Sequence, residues 1–153
     1  MTQVTPPTHL GFEPVTTLYC SGGTVNLHPD GYVVSDLVPR TTQTWDTACE
    51  MLLAGASLAP GFKQAAIVIT NESRTERDGR RAFAEVGAPL LSCVALIVRS
   101  RVSEVTGNFF LRLNRPAYPT RLFGSVEAAV EWVVPHVGQP IGPEGIELLE
   151  RMR

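Results

Sequence analysis

The side chains that most often perform catalysis or bind metals are few in this chain of 153 residues, and they are widely separated. Its three cysteines contain no Cys-x-x-Cys pair, so their spacing indicates neither a structural zinc site nor a disulfide framework. The three histidines have no cysteine or acidic residue at ligand spacing, and no Gly-x-Ser-x-Gly motif is present to position a nucleophile. We therefore predict no catalytic residue, no metal site and no cofactor, and we expect a protein that is not an enzyme.

One short segment has a pattern that suits phosphorylation. Ser73-Arg74-Thr75-Glu76 resembles a helix capping box, which predicts that a helix begins there. A phosphate on Ser73 or Thr75 would then meet the N-terminal amides of that helix, with Arg74 or Arg77 nearby. Ser73 and Thr75 are therefore candidate phosphoacceptors. The alternative, which we favour, is that Ser73 serves only as the N-cap.

Basic side chains are concentrated between residues 99 and 121, where five arginines face one glutamate. The candidates for binding an anion or an acidic partner are Arg101, Arg112, Arg115 and Arg121. The alternative is a solvent-exposed face with local carboxylate pairing. Because no exposed aromatic residues alternate with these arginines and the formal net charge is −2, we do not expect nucleic-acid binding.

The composition is that of one ordinary globular domain, with 44% hydrophobic and 18% charged residues. The longest apolar runs, such as Val94–Val98, are far shorter than the roughly 20 residues that a membrane-spanning helix requires. Residues 1–14 contain neither a basic region nor an apolar stretch, so no secretory signal is predicted. The odd number of unpaired cysteines favours a reducing, cytoplasmic location.

Hydrophobic patterning predicts an antiparallel unit followed by alternating helices and strands. The sequence Pro29-Asp30-Gly31 lies between two alternating runs and is typical of a hairpin turn. The predicted strands are Val15–Cys20, Thr24–His28, Tyr32–Leu37, Ala65–Thr70, Leu91–Val98 and Thr120–Phe123. The first predicted helix is capped by Thr41 or Thr42 and has an apolar stripe from Trp45 to Ala56. The other predicted helices are Thr75–Val86, 102–113, Ser125 to about Val134, and Ile146–Arg153. This order predicts an α/β fold with a mixed, mostly parallel sheet of four to six strands and about four helices.

The chain is predicted to contain one domain between two less regular ends. Residues 1–14 have several prolines and threonines and are interpreted as a flexible N-terminal arm. Residues 15–137 form the α/β domain. Residues 138–153 are interpreted as a Pro- and Gly-containing linker that leads into a short C-terminal helix.

Three blocks of sequence show a resemblance to a known family. They are Asp30–Val34, Ala95–Val98 running into Arg101-Val102, and Asn108–Pro116 followed by Tyr118–Phe123 and a helix with Ala128, Ala129 and Trp132. Over about residues 23–137 the chain resembles the STAS-like fold of anti-sigma-factor antagonists, and especially a poorly characterised group of small bacterial STAS-like proteins. In the antagonists, an aspartate precedes a phosphorylatable serine near the start of the helix after the third strand. Here the corresponding strand ends in Ile69-Thr70-Asn71-Glu72, without an Asp-Ser pair.

Two functions follow as hypotheses. The resemblance implies a non-enzymatic regulatory or protein-interaction module, with a protein partner or self-association as a homodimer. The alternative is a small-molecule or lipid-binding protein. It would have an apolar pocket between Phe109, Phe110 and the sheet, with Arg112, Arg115 or Arg121 at its mouth.

Overall fold

The computed structural model describes residues 10–100 and 116–152. The strands are β1 (Thr16–Cys20), β2 (Gly23–Leu27), β3 (Val33–Leu37), β4 (Thr42–Gln43), β5 (Gln64–Ile69), β6 (Arg74–Thr75), β7 (Leu91–Ile97) and β8 (Thr120–Phe123). The helices within those ranges are α1 (Trp45–Leu58), α2 (Arg77–Glu85), α3 (Val126–Val133) and α4 (Pro143–Arg151). The helix predicted over 102–113 lies outside the described residues. None of the described helices has the length and apolar character that crossing a membrane requires.

Six strands form one mixed sheet in the order β1-β2-β3-β5-β7-β8. The pairs β1–β2 and β2–β3 are antiparallel, whereas β3–β5, β5–β7 and β7–β8 are parallel. The predicted hairpin turn joins β2 to β3, and Gly31 adopts a φ of +95° there. The prediction of a mixed, mostly parallel α/β sheet is therefore confirmed.

Apolar side chains cover both faces of the sheet. On one face, α3 contributes the buried residues Ala129 and Val133, which pack with Ile67 and Ala95 of the central strands. On the other face, α1 and α2 pack against alternate residues of the same strands, including Ala66 and Val94. Because both faces are covered, β5 and β7 consist of nearly continuous apolar residues, which is the pattern expected for central parallel strands.

The N-terminus of α1 differs from the prediction. Thr44, not Thr41 or Thr42, is the N-cap, and its side chain accepts a hydrogen bond from the backbone N–H of Thr47. Thr42 lies in β4, which pairs in parallel with β6. Gln43 is buried in this small sheet and accepts a hydrogen bond from the Thr47 hydroxyl. The prediction was wrong because a tertiary strand pairing, which a local pattern does not reveal, occupies the two residues before the cap.

The predicted start of the second helix was also wrong. Ser73 precedes β6, and α2 begins at Arg77 with Glu76 as an N-cap that makes no side-chain hydrogen bond. The backbone N–H of Glu76 instead donates to the carbonyl of Gln43. The same carbonyl lies against Gly79, where an added Cβ would be 2.5 Å from its oxygen. Gly79 therefore permits the close approach of β4 to α2, at the expense of helix propensity.

The two ends of the chain pack against the domain as far as they are described. Leu10 is buried in the core, and the ring of Phe12 lies 4.6 Å from that of His28. At the other end, the Ile141 N–H donates to the Gly61 carbonyl, and α4 packs against the face that carries α1 and α2. Of the stripe predicted for this helix, Leu149 and Met152 pack inward whereas Ile146 is exposed.

The boundaries of α3 agree with the prediction. The Ser125 side chain accepts a hydrogen bond from the Ala128 N–H and caps the helix. The helix ends at Val133, and a 3-10 turn over Val134–His136 contains Pro135. Proline ends the α-helix here because its ring and its missing N–H are incompatible with a further regular turn.

Candidate functional site

The most unusual backbone of the described residues lies at the carboxyl ends of β3 and β5. Arg40, Asn71 and Glu72 have φ values of 60°, 47° and 59°, and they are the non-glycine residues with positive φ in the described ranges. Each left-handed L-residue costs roughly 1–2 kcal/mol, although asparagine tolerates this region better than most. Such conformations persist only where surrounding contacts hold them, and they cluster at functional sites. Ligands of open α/β sheets also bind at the carboxyl ends of the strands.

The Asn71 side chain connects the two loops. Its Nδ2 atom donates to the Leu37 carbonyl at 2.6 Å and to Asp36 Oδ1 at 2.9 Å. In the opposite direction, the Arg40 N–H donates to the Asn71 carbonyl at 2.9 Å. We call these three hydrogen bonds the Asn71 latch. Because the latch joins residues more than thirty positions apart, it fixes the loop after β3 relative to the loop after β5.

A further contact extends this arrangement to the third parallel strand. The Thr70 hydroxyl donates to the Ile97 carbonyl, the last residue of β7, at 2.7 Å. The two loops are thus supported from both sides of β5, and their exposed side chains project from a fixed backbone.

These loops surround a cleft of about 400 Å³. Its lining residues are Pro39, Arg40, Thr70, Asn71, Glu72 and Arg99. Arg40 Nε lies 3.7 Å from Glu72 Oε2, but both side chains are largely exposed, so their ion pair contributes little to stability. The cleft therefore presents two guanidinium groups and one carboxylate that water can reach and a partner could engage.

Neither a metal-ligand cluster nor a cysteine of lowered pKa occurs among the described residues. Within them, no group of three or more His, Cys, Asp or Glu side chains is arranged to hold a metal ion. Burial raises the pKa of the Cys93 thiol to about 11. Burial, the charge of Glu50 and a hydrogen bond to it likewise raise the pKa of Cys20 to about 11. Both thiols are protonated near neutral pH and are poor nucleophiles in that form.

The buried polar side chains have structural partners. Gln64 Nε2 donates to the Leu52 carbonyl at 3.0 Å, which ties β5 to α1. Ser92 Oγ lies within hydrogen-bond distance of the carbonyls of Gln64 and His136. Since these groups are satisfied inside the domain, they are not available to a substrate.

The residues singled out in the sequence fall in different places. Ser73 is half-buried in the loop after β5, beside the cleft, while Thr75 is half-buried in β6. Neither residue is the N-cap of α2, which is Glu76. A phosphate on Ser73 or Thr75 would therefore not occupy the N-cap position of that helix, in contrast to the prediction from the sequence. Arg121 lies in β8 and is exposed, with its guanidinium carbon 5.3 Å from the centre of the Phe123 ring. The remaining predicted residues lie outside the described residues. They are the arginines Arg101, Arg112 and Arg115 and the two residues of the predicted pocket, Phe109 and Phe110.

Arg40 and Asn71 are the cleft residues that the sequence reading missed. The signal that was available for Asn71 is its position after a buried strand, since asparagine is enriched in the left-handed region. No comparable local signal marks Arg40, whose conformation depends on a hydrogen bond to a distant loop.

Comparison with known proteins identifies the family. A family described as "Domain of unknown function (DUF7793)" matches residues 37–137. The chain belongs to this family. The matched range contains both loops of the cleft and most of the parallel sheet, whereas β1, β2 and α4 lie outside it. A comparison with curated proteins gives no significant match.

The solved structures that match this chain include two proteins without an assigned function. One is an uncharacterised protein of the DUF3478 family with a SpoIIAA-like fold from Shewanella loihica PV-4, with a TM-score of 0.50 and 15% identity over 71% of this chain and 90% of that one. Another is a protein of unknown function from Arthrobacter sp. FB24, with 28% identity over 76% of this chain and 95% of that one, and a TM-score of 0.29. The first likeness confirms the STAS-like, SpoIIAA-like fold of this DUF7793 protein.

Proposed function

We propose that this DUF7793 protein is a non-enzymatic interaction module that binds a protein partner through the cleft at the carboxyl ends of β3 and β5. The observation that carries the proposal is the Asn71 latch. It ties together Arg40 and Asn71, which both adopt left-handed conformations that cost an L-residue free energy and that glycine would adopt without this cost. The exposed side chains of Arg40 and Glu72 are thereby presented by loops that the latch joins, and the exposed Arg99 lines the same cleft.

A preformed surface of this kind suits recognition better than turnover. A partner that binds fixed loops does not have to order them, which lowers the entropic cost of association. The two guanidinium groups favour a partner with an acidic segment, because arginine forms bidentate, charge-assisted hydrogen bonds with carboxylates. We therefore propose a protein partner with carboxylates at its contact surface.

Phosphorylation of Ser73 or Thr75 is proposed as the regulation of this contact. Ser73 is half-buried next to the cleft, and its backbone N–H donates to the Thr70 carbonyl at 2.9 Å. A phosphate there would add close to two negative charges beside the arginines and compete with an acidic partner for them. Phosphopeptide mapping of the protein isolated from its own cells tests this step. A binding assay with Ser73→Asp should show weaker binding to the partner, and unchanged binding would contradict the regulation alone.

Charge reversal in the cleft tests the proposed function directly. We expect the double variant Arg40→Glu, Arg99→Glu to lose a partner that crosslinks to the wild-type protein in cells. Arg151→Glu is the control, because it reverses the charge of one exposed arginine in α4 that does not line the cleft. The partner should be retained by this control, and its binding to the wild type should weaken as salt is raised.

Two results would count against the proposal. One is equal recovery of the same partner with the cleft double variant and with the wild type. The other is a measured turnover that a single substitution abolishes. The alternative function, an apolar pocket with arginines at its mouth, is supported by no contact of the described residues and stays a prediction.

A further inference from the structure

We propose that two copies of this protein associate by antiparallel pairing of their β1 strands, which would join two six-stranded sheets into one. This contact uses no residue of the cleft and does not depend on the function proposed for it. The starting observation is that β1 is a terminal strand of the sheet, with β2 as its neighbour in the described part of the chain. One side of its backbone therefore has no strand partner there, and an edge of this kind is a template for a further strand.

The β1 edge lacks the features that usually prevent such pairing. Its five residues pair with β2 in a continuous register, without a bulge. None of them is charged, proline or glycine, and in the sequence no Asp, Glu, Lys or Arg occurs between Glu13 and Asp30. Lysine, proline, bulges and short length are the ordinary means of protecting an edge strand.

The opposite edge of the same sheet has several of these protective features. The strand β8 has four residues, follows Pro119, and carries the exposed, charged Arg121. Gly124 comes directly after it. The β1 edge is therefore the less protected of the two, because it has neither a charged residue nor a proline directly before it.

Exposed apolar side chains accompany the β1 edge. Val15 and Tyr19 are 63% and 50% exposed, and they are among the large hydrophobic residues that the described surface leaves in water. Because side chains alternate along a strand, Thr17 and Tyr19 lie on one face of the sheet, and Val15 directly precedes the strand. Tyrosine is enriched at protein interfaces, where its ring is buried and its hydroxyl stays wet.

The uncharged strand is suited to a second copy of itself. Around a two-fold axis at Leu18, the central residue of β1, antiparallel pairing places Thr17 opposite Tyr19 of the second copy, and the same contact occurs twice. No like charges meet within the strand pair, which a symmetric interface requires. A five-residue strand pair is smaller than a standard interface of about 1,600 Å², so we expect a dissociation constant in the micromolar range.

Sedimentation velocity and light scattering of the full chain, from about 1 to 500 μM, test this inference. We expect the mass to rise from one copy to two over this range. Tyr19→Lys and Thr16→Lys, which place a cation on either face of β1, should each raise the dissociation constant at least tenfold. Phe62→Lys is the control, since Phe62 is 49% exposed but lies outside the sheet; it should leave the dissociation constant unchanged.

Hydrogen exchange of the wild-type protein gives a measurement that needs no variant to fold. The amides of β1 should become better protected at high protein concentration, while those of β8 should not change. A chain that stays monomeric over the whole range overturns the inference. So do lysine variants that dimerise like the wild type, a Phe62→Lys variant that weakens the dimer equally, or β1 amides that are insensitive to concentration.

Discussion

Replacing Asn71 with alanine should destabilise the protein substantially, although Asn71 is only half-buried in a surface loop. The change removes a hydrogen bond to the Leu37 carbonyl and one to the Asp36 carboxylate, worth about 1 and about 1.5 kcal/mol at typical values. It also leaves alanine in a left-handed conformation, at about 1 kcal/mol more than asparagine. Because water can reach the site and replace part of the lost bonding, we expect a loss of about 2–3 kcal/mol in the free energy of unfolding.

Urea unfolding followed by circular dichroism measures this loss, and thermal unfolding should show a decrease of about 5–10 °C in Tm. Asn71→Gly separates the two contributions, because glycine lacks the hydrogen bonds but adopts the left-handed conformation without a steric cost. The glycine variant should therefore be about 1 kcal/mol more stable than the alanine variant. The two variants should also lose the proposed partner, since both release the loop after β3.

The explanation would be refuted by an alanine variant whose free energy of unfolding lies within about 0.5 kcal/mol of the wild type. An alanine variant that is as stable as the glycine variant would refute the argument from backbone conformation alone. In that case the hydrogen bonds, and not the left-handed φ, would account for the effect.

Three other changes test separate parts of the structure. Gly79→Ala should destabilise the protein by about 1–3 kcal/mol, although alanine favours helices, because the added Cβ would clash with the carbonyl of Gln43 in β4. Gly124→Ala is the control, since no atom lies within 4 Å of the Cβ added there. Equal urea midpoints for the two variants would contradict the predicted clash. Glu50→Gln should lower the pKa of Cys20, because the carboxylate helps to raise it to about 11. More thiolate would then be present at pH 9, and alkylation of Cys20, followed by peptide mass spectrometry, should be faster; an unchanged rate would show that burial alone sets the pKa. Ser125→Ala should cost about 1 kcal/mol by removing the N-cap of α3, and a thermal melt identical to that of the wild type would argue against the cap.

Local patterns were sufficient to predict the main sheet. The bounds of β8 were predicted correctly, and Asp30-Gly31 correctly indicated the turn between β2 and β3. Continuous apolar residues identified β7, because a central parallel strand is covered on both faces. The alternation of these strands with helices was enough to predict a mostly parallel sheet, since parallel neighbours require crossover connections, but the order of the strands was not predicted.

The cleft could not be predicted in the same way, because its geometry depends on contacts between distant residues. The capping-box pattern at Ser73 is locally valid, but the pairing of β6 with β4 prevents a helix from starting there. Asn71 reaches acceptors 34 and 35 positions away in the sequence. A single sequence contains no signal for such pairs, so Arg40 was assigned no role.

The position of the matched range within the sheet has a practical consequence for truncation. The range 37–137 starts at the last residue of β3, so a fragment cut to it would lack the strands that flank β5 on one side. The strand β5 would then become an edge strand with an unpaired backbone, although its residue Ile67 is completely buried in the intact domain. We expect such a fragment to aggregate, because an apolar edge strand with unpaired backbone groups pairs with strands of other chains. Deletion studies of this family should therefore retain the hairpin and α4, even though the shared sequence does not extend to them.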